Sequence, residues 1–129
     1  MGPVPAGDGF TPEQRHQIDK AIRDAETVCR LEFSVYVGPS EGEPRDFADR
    51  LHSALVAPDR SVLVMIDPMA RCLEVVTGSV ARRDLDDQEV GLAAVEMESQ
   101  LTHDDLVGAI TRGISRLAAF ARKPPTLHA

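Results

Sequence analysis

Aromatic side chains are scarce in this sequence: tryptophan is absent, and phenylalanine and tyrosine make up 4% of 129 residues. With hydrophobic residues at 43%, the core has to be aliphatic. There is no ring platform for stacking bases or sugars. Basic residues are in deficit as well. The formal net charge is −7, which argues against a nucleic-acid binder, because phosphate affinity needs a concentrated basic footprint. Two cysteines, Cys29 and Cys72, form no short metal or redox spacing and fall at apolar-periodic positions, where a free thiol behaves as a small hydrophobe. His16, His52, His103 and His128 lie far apart with no zinc spacing. Of these, His16 and His52 read as helix-surface residues and His103 as part of the last helix's first turn. No stretch approaches the ~20 apolar residues that cross a bilayer. The opening MGPVPAGDGF lacks the basic and apolar regions of a signal peptide. The expectation is a soluble, cytoplasmic protein with no membrane segment. Phosphate-binding glycine loops, dinucleotide fingerprints and Gly-x-Ser-x-Gly elbows are missing too.

What is present is a regular switching between helical and strand periodicity. A chain of this length makes one domain able to bury a core without staples. Residues 1–10, rich in Pro and Gly, read as a flexible tail, 11–122 as the domain, and 123–129 as a second tail. Thr11, Pro12 and Gln14 spell a capping box, and Ile18, Ala21, Ile22, Ala25 and Cys29 follow on one helical face to about Arg30. Leu31 to Val37 alternates as a strand, and from Pro44 helical spacing returns through Phe47, Ala48, Leu51 and Leu55. Ser61 to Ile66 is a continuous apolar run, as in a central strand covered on both faces. Asp67-Pro68 turns the chain, and Cys72 to Thr77 reads as the second arm of a hairpin. Asp86 and Glu89 are spaced to cap a third helix through Val90, Ala93, Met97 and Leu101. Thr102 and Asp105 offer a capping box for a fourth, which Pro124 and Pro125 stop. Gly108 and Gly113 each weaken that last helix by about 1 kcal/mol relative to Ala, which points to a close approach of helix and sheet.

The order α-β-α-β-β-α-α implies a parallel pair with a right-handed crossover, followed by an antiparallel hairpin. Strands this apolar need helices on both faces, so the predicted fold class is α/β: a three-layer α/β/α sandwich with a small mixed sheet of about three to four strands. The hairpin places the end of the third strand beside the beginning of the second. Asp59, Gly78, Arg82, Arg83, Asp86 and Asp87 therefore gather at one rim of the sheet.

Two motifs at that rim carry a resemblance. The chain from roughly Phe10 to Phe120 resembles the TPM domain family, in particular an actinobacterial branch of TPM-related proteins. That family carries an Asn-Gly lead-in to its central strand, a hairpin arm ending in Gly-aromatic-Gly, and a Leu-x-Asp at the next helix start. Here DRSVLVMID stands in the first place, with Asp59 present and Arg60 and Ser61 where Asn and Gly are usual. TGSVARRDLDD stands in the second: Gly78 matches the first glycine, Val80 replaces the second, and Leu85 and Asp87 match the Leu-x-Asp. The resemblance implies an α/β domain that is a weak acid phosphatase, a calcium binder, or a part in assembling larger complexes, often anchored to a membrane.

The candidate chemistry follows. Carboxylates of Asp59, Asp86 and Asp87 at the rim could hold Ca²⁺ or Mg²⁺, and Arg82 with Arg83 could hold a phosphate beside the third helix's N-terminus. The same acids also suit a helix start through cap and macrodipole. An EF-hand is excluded, because a loop counted from Asp84 has Glu89 and Val95 where Gly and Glu are required. At the opposite end, Ser40, Glu41, Glu43 and Asp67 lie outside the carboxyl ends of the parallel strands, where ligands of open α/β sheets bind. Charge is uneven along the chain: residues 1–102 hold 10 basic and 19 acidic side chains, and 103–129 hold 4 against 2. The basic C-terminal helix, through Arg112 and Arg116, could dock an acidic protein partner, and the same basic charge also suits the negative C-terminal end of the last helix. Loss of the Asn-Gly pair and of the second glycine favours a non-catalytic binding or accessory module. The alternative is a weak divalent-metal-dependent acid phosphatase.

Overall fold

The computed structural model describes residues 9–122. The predicted tails fall outside it at residues 1–8 and 123–129, whereas Phe10, placed at the end of the first tail, packs against the core.

Helix α1, Pro12–Val28, begins at the expected box: Thr11 Oγ1 accepts from the Gln14 amide at 3.1 Å, and Gln14 Oε1 accepts from the Thr11 amide at 3.0 Å. The helix buries Ile18, Ile22 and Ala25. Strand β1, Glu32–Val37, follows. Helix α2, Pro44–Ser53, is capped by Glu43, whose Oε1 accepts from the Asp46 amide at 3.0 Å. Strand β2, Ser61–Asp67, is buried at all seven positions, as its unbroken apolar run demands. Strand β3, Cys72–Thr77, completes the hairpin, and helices α3, Asp87–Leu101, and α4, Leu106–Ala121, close the order predicted from periodicity.

The sheet runs β1-β2-β3, with β2 parallel to β1 and antiparallel to β3. The register sets Val35 beside Val64 and Val64 beside Val75. Because side chains alternate along a strand, the sheet splits the apolar residues between two cores. Phe33, Val35, Val62, Val64, Ile66 and Val75 pack against α1, α3, α4 and the segment leading into α3 through Ile18, Ile22, Leu85, Met97, Ile110 and Ile114. Leu63, Met65 and Val76 form a smaller core with Ala48, beside Phe47, Leu51 and Leu55 of α2 and the segment after it. The result is the expected three-layer α/β/α sandwich, with α2 as the crossover alone on its side.

Several local expectations are revised. Thr102 ends α3 rather than opening α4; the chain turns through a left-handed Asp104 (φ 56°), and Asp105 alone caps α4, accepting from the Gly108 amide at 3.0 Å. His103 therefore lies in the turn before that helix, with Nδ1 2.9 Å from Ser99 O. The glycines of α4 do not face the sheet. A methyl group at Gly113 would meet the Met97 side chain of α3, and one at Gly108 would meet its own cap, Asp105. Cys29 is buried as expected, but Cys72 is only half-buried.

Candidate functional site

The hairpin does bring residues 59 and 78 together, through backbone. Gly78 is buried, and a methyl group there would overlap the carbonyl oxygens of Pro58 and Asp59. Two main-chain bonds fix the approach: the Gly78 amide donates to Ser61 O at 3.0 Å and the Val80 amide to Asp59 O at 2.9 Å. The short 3-10 turn Pro58–Arg60 is thus pinned against the end of β3.

Around this seam each predicted side chain has its own place. Arg82 Nη1 donates to Thr77 O at 2.5 Å. Asp86 is the N-cap of α3: its Oδ1 accepts from the Glu89 amide at 2.8 Å, while Glu89 Oε1 accepts from the Asp86 amide at 3.0 Å. Asp59, Arg83 and Asp87 are exposed. Among the described residues, no group of three or more His, Cys, Asp or Glu side chains converges as metal ligands.

One rim residue escaped sequence reasoning. His52, expected on the surface of α2, is buried, with Nε2 3.0 Å from Ser61 O. A carbonyl can only accept, so Nε2 carries the proton. Ser61 O thereby receives both His52 and Gly78, and Ser61 Oγ donates to Ala57 O at 2.6 Å. The available signal was spacing: His52 follows the fully buried Ala48 by one helical turn.

At the opposite pole Asp67 is 4% exposed. Its Oδ2 accepts from both the amide and the hydroxyl of Ser40, each at 2.8 Å, and its Oδ1 from the Ala70 amide at 3.1 Å. The Ser40 amide and then its hydroxyl hold this carboxyl below the usual range, against the opposing effect of burial. Nearby, Tyr36 donates to Pro39 O at 2.7 Å. Burial first, then the negative charges of Asp67 and Glu41, raise its phenol. Glu43 serves the α2 cap and Glu41 is exposed, so Glu41, Glu43 and Asp67 share a loop region without forming a common set of free oxygens.

The two arginines of α4 expected to meet a partner are also engaged within the chain. Arg112 pairs with Asp105 at 2.9 Å, and Arg116 pairs with Glu96 at 3.3 Å while lying 4.6 Å over the Phe120 ring. Beside them a shallow cleft of about 490 Å³ runs between α1 and α4, lined by Gln17, Lys20, Asp24, Asp105, Thr111 and Arg112 among others. No helix of the described residues is long and apolar enough to cross a membrane.

Comparison with known proteins gives a family and a fold. A family model described as a domain of unknown function, DUF5130, matches residues 1–118. The uncharacterized protein Rv2468c of Mycobacterium tuberculosis is 24% identical over 102 residues, covering 79% of this chain and 61% of that protein. The chain thus spans about three-fifths of the curated relative's length. The NMR structure of the BA42 protein of Bizionia argentinensis superposes with a TM-score of 0.80 at 18% identity, covering 91% of this chain and 84% of that one. The N-terminal domain of the cg2496 protein of Corynebacterium glutamicum gives 0.79 at 14% identity, covering 100% and 88%. At such identities these structures speak for the fold alone.

Proposed function

The chain belongs to the DUF5130 family, and we propose that it works as a TPM-like binding or accessory module rather than as a catalyst. One observation carries this reading: at both poles of the sheet, key polar groups serve the protein's own backbone. Arg82 holds Thr77 O, Asp86 and Glu43 cap helices, and Asp67 holds Ser40 and Ala70. Catalysis requires groups poised toward a reacting atom, with partners that tune them. The TPM kinship rests on element order, on Gly78 in its close approach, and on Leu85 and Asp87 before and at the start of α3. The partner surface is the exposed stripe of α4 around Arg112 and Arg116. Reversing both charges, Arg112→Glu with Arg116→Glu, is expected to abolish recovery of a specific partner in a native pull-down; equal recovery by the reversed variant removes that surface from the reading.

A second reading is kept by Asp59, Arg83 and Asp87, which lie exposed at the rim. They would make a weak phosphatase with Ca²⁺ or Mg²⁺ as its cation. A metal-titrated melt separates the two. A site saturated at a hundredfold excess over Kd adds about 2.7 kcal/mol. The binding-module reading expects Ca²⁺, Mg²⁺ and Mn²⁺ to leave the melting temperature unmoved and a generic phosphomonoester intact. A cation-dependent rise together with turnover overturns it.

A further inference from the structure

Among the described residues β3 is an outer strand, so one row of its backbone groups faces away from β2. The row can be identified. Gly78 donates to Ser61 O across the hairpin, and the register continues through Val76 opposite Leu63 and Glu74 opposite Met65. Hydrogen-bonded and non-bonded pairs alternate in an antiparallel ladder. Gly78, Val76 and Glu74 therefore bond to β2, while Leu73, Val75 and Thr77 turn their amides and carbonyls outward.

Two arginines from different elements meet that outward row. Arg45, in the first turn of α2, donates from Nη1 to Val75 O at 3.1 Å, steadied by Asp49 and Glu74, each at 3.3 Å. Arg82, in the 3-10 turn after the strand, donates to Thr77 O at 2.5 Å. Two alternate carbonyls of the edge are thus held by guanidinium groups.

We infer that Arg45 and Arg82 close the edge of β3 to strand addition, and that the strand they exclude is β3 of a second copy of this chain. The segment Leu73-Glu74-Val75-Val76-Thr77 is rich in β-formers and suits two-fold self-pairing. Antiparallel pairing centred on Val75 sets Val75 opposite its own copy and Leu73 opposite the copy of Thr77. Each of those pairs would exchange amide-to-carbonyl bonds, and they need the carbonyls of Val75 and Thr77 that the arginines occupy. Charged side chains placed on an edge are a known barrier to such pairing. This role for Arg82 needs no ligand at the rim, so it stands or falls apart from the proposed function.

The test is mass against concentration, by light scattering or sedimentation, for wild type, for Arg45→Ala/Arg82→Ala, and for that double variant carrying Leu73→Pro. The double variant is expected to stay folded by circular dichroism and to double in mass relative to wild type as concentration rises. Leu73→Pro removes an outward amide and no ladder bond, so it should return the mass to the wild-type value. A folded double variant with the mass of wild type throughout overturns the inference, as does association that survives Leu73→Pro. Should the alanine pair fail to fold, Arg45→Met/Arg82→Met keeps an unbranched apolar stem, loses both the charge and the donors, and decides by the same criterion.

Discussion

At the pole where β3 ends, the chain is held by main chain against main chain: Gly78 lies on the carbonyls of Pro58 and Asp59, with amide bonds to either side. At the pole where β2 ends, one buried carboxylate ties two distant loops: Asp67 draws Ser40, after β1, and Ala70, in the hairpin turn, to the same side chain. The first closure depends on the absence of a side chain and is indifferent to charge. The second depends on a charge and on nothing else nearby replacing it. Both poles looked like ligand sites in the sequence for the same reason, clustered acids beside glycine or serine, yet the physical demands on them differ.

The largest expected effect comes from breaking the uncharged closure. Gly78→Ala sets a methyl group into backbone oxygens that cannot rotate away, so it is expected to destabilise the fold by about 3 kcal/mol. Urea denaturation should show that loss unchanged between pH 4 and 7. Asp67→Asn comes next, at about 1–3 kcal/mol near neutral pH, because the charge-assisted bonds that the buried carboxylate accepts from Ser40 and Ala70 are weakened. Its signature is its pH dependence. The native interactions hold the Asp67 carboxyl below its usual value of 3.8, so its contribution is full above the unfolded pKa of about 3.9 and is lost as pH falls through the lower folded one. The wild type should therefore lose stability on acidification below about pH 4 more steeply than Asp67→Asn, and parallel curves would show that Ser40 and Ala70 are not what the charge holds.

The architecture was legible because periodicity changes sharply along the chain: Ile18, Ile22 and Ala25 recur at helical spacing, Phe33 and Val35 alternate, and Ser61 to Asp67 is buried throughout. The Asp59–Gly78 seam was legible for a topological reason, since a hairpin must return its end to its beginning. Asp67 and Ser40, 27 residues apart, were brought to one pole by the same topological reasoning; what strand order does not show is that the carboxylate accepts from the Ser40 amide and hydroxyl themselves. Polarity hid His52, although its spacing from Ala48 marked it as inward. Gly113 was assigned to the wrong neighbour because a small residue announces a close approach without naming what approaches; here it is Met97. Arg82 looked like an anion ligand, and the edge carbonyl it holds becomes visible only once strand order is known.

The smallest effect sharpens the comparison most. Asp86 is charged, like Asp67, but it sits at a helix start and accepts from Glu89 in a reciprocal box. Removing a cap of this kind costs about 1 kcal/mol, so Asp86→Ala should lower stability by that amount. Asparagine caps about as well as aspartate, so Asp86→Asn should recover nearly all of it, leaving a few tenths for the macrodipole that added salt erases. A rim that bound Ca²⁺ through this carboxylate would behave otherwise: Asp86→Asn would then suppress a calcium-dependent rise in melting temperature that the wild type displays. The cap reading expects calcium to leave the melting temperature of wild type and of Asp86→Asn each unmoved, because the oxygen that matters is already turned to the Glu89 amide.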